Sequence, residues 1–558
     1  MTTAAEWRAQ ALARAAQGDD AGAAQMFARA VAAFPSDAAL ANSAANFHAG
    51  AGRPDVALAL FERALAVMPQ FGEAAINRAV VLTRLGRGGE AAAALRRGEA
   101  ALATLPRYWT TRAAAEVADD DLAAAAASYD RALAREPGNA RALHGRARTA
   151  LDRDEGDAVA RYERALAARP GDPQLLLGLA QAIDAAGDPA GAMRISGALA
   201  AQLPGWVEGL ELHARLRWAA GDRDGFCDHY RAGQDDAAPW QSQAAMLAGV
   251  DRHAAAAEVL ARARRAVGDT PGLALAEAVY RGEAGDVAGA AAIFDRAIPA
   301  TPEWLLSEGR HRLRTGDPAR AERLLADAIA AAPGDIAAWS LRDLCWRLLG
   351  DPRHAWLHGQ PGLIREIELD LSPHELAAAQ ALLDTLHDRA AMPVGQSVKD
   401  GSQTRGALFQ RPEPAIATIA ASLRRAVERY RDGLPAADAG HPLLRTREAA
   451  WRISGSWSIR LSGVGHHAAH IHPLGIVSSA AYFRVPAAVE DGERSGWLEL
   501  GRPPATLGVG LPPLAMVKPR VGWCALFPST LYHGTRPIAS GRRMTVAVDV
   551  TVARDRTT

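Results

Sequence analysis

The chain has 558 residues, more than one hydrophobic core supports, so two or more domains are expected. Its 49% hydrophobic and 23% charged content is that of a globular protein and excludes a disordered or collagen-like chain. Lysine and arginine total 63 and aspartate and glutamate also 63, which argues against a whole-chain positive field for nucleic acid or anionic membrane.

From the N-terminus, Met-Thr-Thr-Ala-Ala-Glu-Trp lacks the basic and apolar regions of a signal peptide, and no stretch reads as a membrane span. Prolines then recur at Pro35, Pro69, Pro106, Pro137, Pro170, Pro204, Pro239, Pro271, Pro302 and Pro333, every 31 to 37 residues. The residues before them repeat too. Pro35 is preceded by Gly18, Ala23, Phe27 and Ala30, and Pro69 by Gly52, Ala57, Phe61 and Ala64. Pro302 is preceded by Gly285, Ala290, Phe294 and Ala297. Pro137 and Pro170 keep the alanines and an aromatic (Tyr129, Tyr162) but lose the glycine, while Pro333 has Leu325 in the aromatic place and keeps Gly316.

The period predicts two helices per repeat. The glycine, often followed by Asp, ends the first helix and turns the chain. Small alanines allow close approach of the helices, the aromatic fills the space between them, and proline stops the second helix. This pattern resembles the tetratricopeptide repeat over about residues 5 to 350, in about ten copies, with degenerate ones around Pro204, Pro239 and Pro271. The resemblance implies a superhelix whose concave face binds a protein or peptide; the alternative is a spacer or dimerisation arm. Asn42 and Asn77 fall near one another in repeat register, where they can reach a bound backbone.

Beyond about residue 355 the proline period stops. Leu363–Asp370 reads as a strand, and Ser372-Pro-His-Glu375 as the start of a helix over about 374 to 389, with N-cap, first-turn proline and acid. Trp457–Leu461, Ile476–Val485, Trp497–Leu500, Val521–Phe527 and Met544–Thr551 read as further strands. Short strands divided by Gly/Pro turns, with no helices alternating among them, predict a double-sheet jelly roll. The expected fold is α+β and multidomain: an all-α tetratricopeptide superhelix over residues 1–352, then a double-stranded β-helix (jelly-roll) domain over 353–558.

His466, His467, His470 and His472 lie within seven residues. In an extended segment His470 and His472 share a face and aim two imidazoles at one point. His533, after the strand ended by Pro528, is the expected third donor to a metal. Arg543 and Thr545 share one face of the last strand and offer a fork and a hydroxyl to a small carboxylate. Arg460, Tyr482 and Gln403 are further candidates for orienting co-substrate or substrate, and Ser478, Ser479 and Trp457 for packing around the site.

This order of residues resembles the iron(II)- and 2-oxoglutarate-dependent oxygenases, in a bacterial-type subfamily where such a domain follows tetratricopeptide repeats. Gln396-Ser397, Gln403-Thr404, Ser456-Trp-Ser-Ile-Arg460, His470-Ile-His-Pro473, Phe527-Pro-Ser529 and His533-Gly-Thr535 match its blocks across about residues 360 to 552. The resemblance implies Fe(II) on His470, His472 and His533, with 2-oxoglutarate as co-substrate reaching Arg543 and Thr545. Tyr482 and Arg460 would lie around it, and no catalytic residue beyond the metal ligands is implied. O2 would be consumed in hydroxylation, and the repeats would recruit a protein or peptide. The family's middle ligand is a carboxylate, whereas this chain has His472. Imidazole leaves the site one charge more positive and also suits Zn, Cu and Ni; alternatively His472 does not bind and leaves its place to a water or a distant acid, with His467 as the reserve ligand. Two other readings stay open: a non-catalytic repeat scaffold with an oxygenase-like end, and a three-histidine iron dioxygenase that does not use 2-oxoglutarate. Cys227, Cys345 and Cys524, too far apart for a disulfide framework or zinc-finger spacing, fit a reducing cytoplasm, with neither nucleic acid nor membrane as partner.

Overall fold

The computed structural model describes residues 3–230, 235–296, 301–388, 390, 394–395 and 397–553. Ala297 and Gln396 lie outside them. The chain divides into two compact units, one ending at Leu175 and the other running from Leu176 to Ala553. The sequence boundary at 352/353 thus lies inside the second unit.

The first unit consists of paired helices, beginning with Ala4–Ala16 and Asp20–Ala33, then Ala38–Gly50 and Pro54–Val67. The same pairing continues in the second unit. Gly18, Gly187, Gly285 and Gly316 have φ of 81°, 96°, 86° and 79°, the left-handed region that ends a helix. The Asp after each one caps the second helix: Asp19 accepts from Gly22 N at 2.8 Å, and Asp188, Asp286 and Asp317 do the same. Where the glycine is lost, Asp120 and Asp154 take the turn at φ 61° and 54°, a conformation short polar side chains tolerate. Phe27, Phe61, Tyr129, Tyr162, Phe294 and Leu325 are all buried, as the repeat pattern requires.

Two details differ from expectation. Pro239, Pro271 and Pro302 do not stop a helix but sit in the first turn of the next one, where a missing N–H costs no helical hydrogen bond. In one degenerate repeat, residues 220–230 form turns instead of a second helix, and Phe226, Cys227 and Tyr230 fill the core there.

Among the described residues the C-terminal part has nine strands: β1 (Arg365–Glu368), β2 (Val398–Gln403), β3 (Trp451–His467), β4 (Val477–Arg484), β5 (Leu498–Leu500), β6 (Ala515–Val517), β7 (Trp523–Pro528), β8 (His533–Thr535) and β9 (Arg542–Val552). They form a six-stranded sheet, β1-β7-β4-β9-β3-β2, and a three-stranded sheet, β6-β5-β8. Every strand pairing is antiparallel, as expected for a double-sheet fold. Ala480, Tyr482, Ala525 and Phe527 of the large sheet pack against Leu498, Leu500 and Val517 of the small one. The outer face of the large sheet is covered by helices Pro373–His387 and Pro414–Asp432, through Leu383, Ile416, Ile419, Leu423 and Val427. Ser372 and Glu375 form the expected capping box on the first of these.

Strand β9 shows how period two divides the two environments. Met544, Val546, Val548 and Val550 join the core beneath the helices, while Arg543, Thr545, Ala547 and Asp549 line a cavity on the other side. Within the second unit the last repeats are bonded to the β domain. Arg347 donates to Gly501 O and Pro512 O, both at 2.5 Å, and Arg314 to Thr506 O at 2.9 Å. All three cysteines are free and buried. No helix among the described residues is long and apolar enough to cross a membrane.

Candidate metal centre

His470 and His533 come from different segments and are held together by backbone. His470 N donates to His533 O at 3.0 Å, and His533 N donates to His470 O at 2.9 Å. The bridge needs Gly534, because a Cβ there would lie 2.9 Å from His467 O and 3.1 Å from Ala469 N. His472 follows two residues after His470 and turns to the same side. One nitrogen from each of His470, His472 and His533 lies within 4.8 Å of the others.

Hydrogen bonds set which nitrogen faces inward. His470 Nδ1 lies 2.8 Å from Ala468 O, His533 Nδ1 3.1 Å from Leu531 O, and His472 Nδ1 2.5 Å from Asp549 Oδ1. Each acceptor calls for a proton on Nδ1, which leaves the Nε2 of each ring as the lone-pair nitrogen; that of His470 also lies 3.4 Å from Ser397 Oγ. Two of them, on His470 and His472, are 3.0 Å apart. Lone pairs facing at that distance repel unless a cation or proton lies between them. An ion held by both nitrogens would relieve that repulsion.

Burial favours the neutral form, the one that binds metal, at His470 and His533. It draws His470 down to about 4 and holds His533 well below the ordinary histidine value, and the neighbouring imidazoles push the same way. His467 is likewise held well below, mainly by burial; its ring stacks on His470 with centroids 5.7 Å apart.

The three histidines open on a cavity of about 510 Å³ that Ser479, Leu498, Arg543, Thr545 and Asp549 also line. Arg543 is 2% exposed. Its Nη1 donates to Gly496 O at 2.9 Å, its guanidinium lies 5.1 Å from the centre of the Tyr482 ring, and its Nε is buried without a hydrogen-bond partner. Arg543 makes no ion pair among the described residues, and burial lowers it from the ordinary arginine value. A buried cation with an unsatisfied donor beside a polar cavity fits a small carboxylate. A neutral nitrogen triad beside it fits a divalent transition metal. The residues present therefore suit both Fe(II) and 2-oxoglutarate.

Of the other sequence candidates, Thr545 is buried and faces the cavity, and Gln403 and Trp457 also line it. Tyr482 is buried beneath Arg543. Arg460 is engaged elsewhere, donating to Asp388 Oδ1 at 2.8 Å and His387 O at 3.0 Å. Ser478 bonds Ser529, and Ser479 bonds the β9 backbone at Val548. In the first unit Asn77 donates to Asn42 Oδ1 at 3.3 Å. Asp549, on the same β9 face as Arg543 and Thr545, was not among the sequence candidates. The strand's own alternation points to it.

A second, larger cavity of about 1320 Å³ adjoins the first and shares Ser397, His467, His470, Ile471 and Gly534 with it. Its opposite wall is built from the repeat helices, by His253, Val279, Leu306, Arg310 and Leu341.

Two antiparallel sheets and three converging histidines that could hold a metal ion define the class of β domain. A family model described as "Putative 2OG-Fe(II) oxygenase" matches residues 455–549, and a tetratricopeptide-repeat model matches 48–115 and 152–216. The chain carries a tetratricopeptide-repeat array followed by a C-terminal domain of this 2OG-Fe(II) oxygenase type. Among solved structures it is similar to a tetratricopeptide repeat protein from Parabacteroides merdae, at 13% identity and TM-score 0.33, over 55% of this chain and 98% of that one. It is also similar to pilF from Pseudomonas aeruginosa, at 17% identity and TM-score 0.34, over 38% of this chain and 96% of the other. The pilus biogenesis factor PilW is 21% identical with TM-score 0.34, over 37% and 96% respectively. No curated protein matches the chain.

Proposed function

We propose that this protein is an Fe(II)- and 2-oxoglutarate-dependent dioxygenase, a hydroxylase, whose repeats bring a protein or peptide substrate to the β domain. The observation that carries the reading is the convergence of three Nε2 lone pairs beside a buried arginine with an unsatisfied donor. His470, His472 and His533 would hold the iron through Nε2, while Arg543 and Thr545 would bind the far carboxylate of 2-oxoglutarate. The iron and co-substrate together would supply activation of O2 and hydroxylation of a C–H bond, one oxygen atom going to the substrate and the other to succinate as 2-oxoglutarate loses CO2.

The chain's own residues bind and orient. Ala468 O and Leu531 O fix two imidazole tautomers, so the metal meets lone pairs and not protons. Arg543 is anchored on Gly496 O, which fixes its guanidinium in the wall of the cavity. Tyr482, Leu498 and Ala480 form an apolar wall beside it that limits water. The larger cavity, with repeat helices on one side and the histidines at its floor, is the route by which a bulky substrate would approach.

Anaerobic titration with Fe(II) and 2-oxoglutarate tests this directly. A visible metal-to-ligand absorption band should appear, and under O2 the protein should release succinate. His470→Ala and His533→Ala should abolish both signals. Arg543→Ala should raise the 2-oxoglutarate concentration needed by at least tenfold while leaving Fe(II) binding in place. No band at saturating concentrations would overturn the co-substrate assignment. The all-nitrogen donor set favours one alternative, a three-histidine iron dioxygenase that does not use 2-oxoglutarate. On that reading Arg543→Ala is silent while the histidine variants are inactive.

A further inference from the structure

We infer that Asp549 is a positioning residue that returns to the metal centre, through His472, the negative charge a carboxylate ligand would have provided. The inference rests on the metal-site reading above and assigns a role to a residue that reading does not use.

The geometry is direct. Asp549 Oδ1 lies 2.5 Å from His472 Nδ1, on the side of the ring opposite the Nε2 that faces His470. The two side chains are 20% and 15% exposed, so the contact is largely shielded from water. Asp549 makes no other ion pair among the described residues. Its place is set by register: on β9 it stands opposite Gly455 of β3 and Ser478 of β4, in the centre of the large sheet. A Cβ on Gly475 would come within 3.5 Å of the Asp549 Cβ and of its Oδ1, so the turn after His472 lies close against this carboxylate. The Trp457 ring covers the other flank of His472, with centroids 5.3 Å apart.

A carboxylate on the remote nitrogen of a metal-bound imidazole does two things. It fixes the ring's orientation and tautomer, and by accepting the Nδ1–H it makes Nε2 a stronger, more anionic donor. A His-His-carboxylate triad carries one negative charge on the metal itself. Here the place of the carboxylate is taken by His472, and Asp549 stands behind it, so the charge is displaced by one ring and not lost. His470 and His533 are backed only by neutral carbonyls. His472 is the one ligand of the three with an anion behind it, at the position where the sequence departs from the family pattern.

Cobalt(II) is the probe. The full-length protein, stripped of metal, is titrated with Co(II) under anaerobic conditions, and both the visible d–d spectrum and the affinity are read. Neither readout depends on turnover. Asp549→Ala should weaken Co(II) binding 10- to 100-fold and alter the spectrum. Asp549→Asn is nearly isosteric and still accepts the Nδ1–H, so it isolates charge from orientation. It should weaken binding several-fold and raise the Fe(III)/Fe(II) potential of the iron-loaded protein.

If wild type binds Co(II) and both variants match it in affinity and spectrum, the role of Asp549 is overturned while the metal centre stands. If only Asp549→Ala differs, the carboxylate orients without donating charge, and that half of the inference is overturned. If wild type binds no Co(II), the metal-centre reading itself fails. Should Asp549→Ala not fold, the Asn variant alone decides.

Discussion

His387 shows what a buried imidazole does when it is not offered to a metal. Its Nδ1 and Nε2 lie 2.9 Å from Ser402 Oγ and Ser458 Oγ, so it joins β2 and β3 to the covering helix. Burial, helped by Arg460, lowers it to about 4. The unfolded chain, titrating near 6.5, therefore takes up a proton first as the medium is acidified. The stabilisation is fully present above pH 6.5 and is lost as the pH falls towards 4. His213, His441 and His470 are likewise drawn to about 4 by burial, so the second unit should be acid-labile across this window. In His387→Gln the slope of stability against pH between 6.5 and 4 should fall by about 1.4 kcal/mol per pH unit, one proton's worth. Urea unfolding at pH 7, 6 and 5 reads this, and an unchanged slope would mean that His387 is already charged in the fold. The residues of the candidate centre were differently legible. His470 and His472 showed in the sequence because alternation in an extended segment needs no tertiary knowledge. Asp549 required extending the alternation from Arg543 and Thr545 by four residues, and its contact with His472 depends on a turn at Gly475 that no local pattern specifies.

Among elements, the repeats were the most readable because each glycine, aspartate and aromatic acts within one helical hairpin. The structure adds that aspartate substitutes for glycine at the turn, as Asp120 and Asp154 do. Gly316 has φ of 79° and open space around its Cβ position, so a substitution there meets only backbone strain. Gly316→Val should cost about 2 kcal/mol or more and Gly316→Asp less than about 1 kcal/mol; equal losses in thermal unfolding would show that space, not φ, selects the glycine. The β domain was read less completely. The three-residue strands β6 and β8 and the polar β2 carry too little alternation to signal themselves, and they form only where β5 and β3 offer an edge. The helix Pro414–Asp432, in contrast, carries a full helical signal in its sequence. Ile416, Ile419, Ala420, Leu423, Ala426, Val427 and Tyr430 hold helical spacing throughout, and all are buried. Leu423→Ala in this helix should cost about 2–5 kcal/mol, measured by denaturant unfolding.

Across the second unit, the last repeats and the candidate centre share one hydrophobic core. Trp339, Leu341, Leu344 and Trp346 of the repeat helix Ile336–Leu349 cluster with Leu357, Leu507 and Tyr532, and Ile471 packs against them. Ile471 separates His470 from His472, and Tyr532 immediately precedes His533. The backbone segments that present all three imidazoles are thus buttressed by a repeat. This coupling explains why a change of sequence grammar near residue 355 does not coincide with a change of compact unit, which comes at Leu175/Leu176. It also separates two fragments that sequence alone would not rank. A fragment spanning 353–558 would expose Leu507, Tyr532 and Ile471 and strip Gly501 O and Pro512 O of the Arg347 guanidinium. A fragment spanning 176–553 keeps all of these contacts. The longer fragment should therefore bind Co(II) with the affinity of the full chain, whereas the shorter should bind at least tenfold more weakly and unfold without a cooperative transition. Trp346→Ala, at a side chain 1% exposed, should cost about 3–5 kcal/mol and lower Co(II) affinity in the full-length protein, although it touches no ligand. Full-chain affinity in the 353–558 fragment would mean that the histidines hold their geometry without the repeats, and that the shared core serves only to join the two parts.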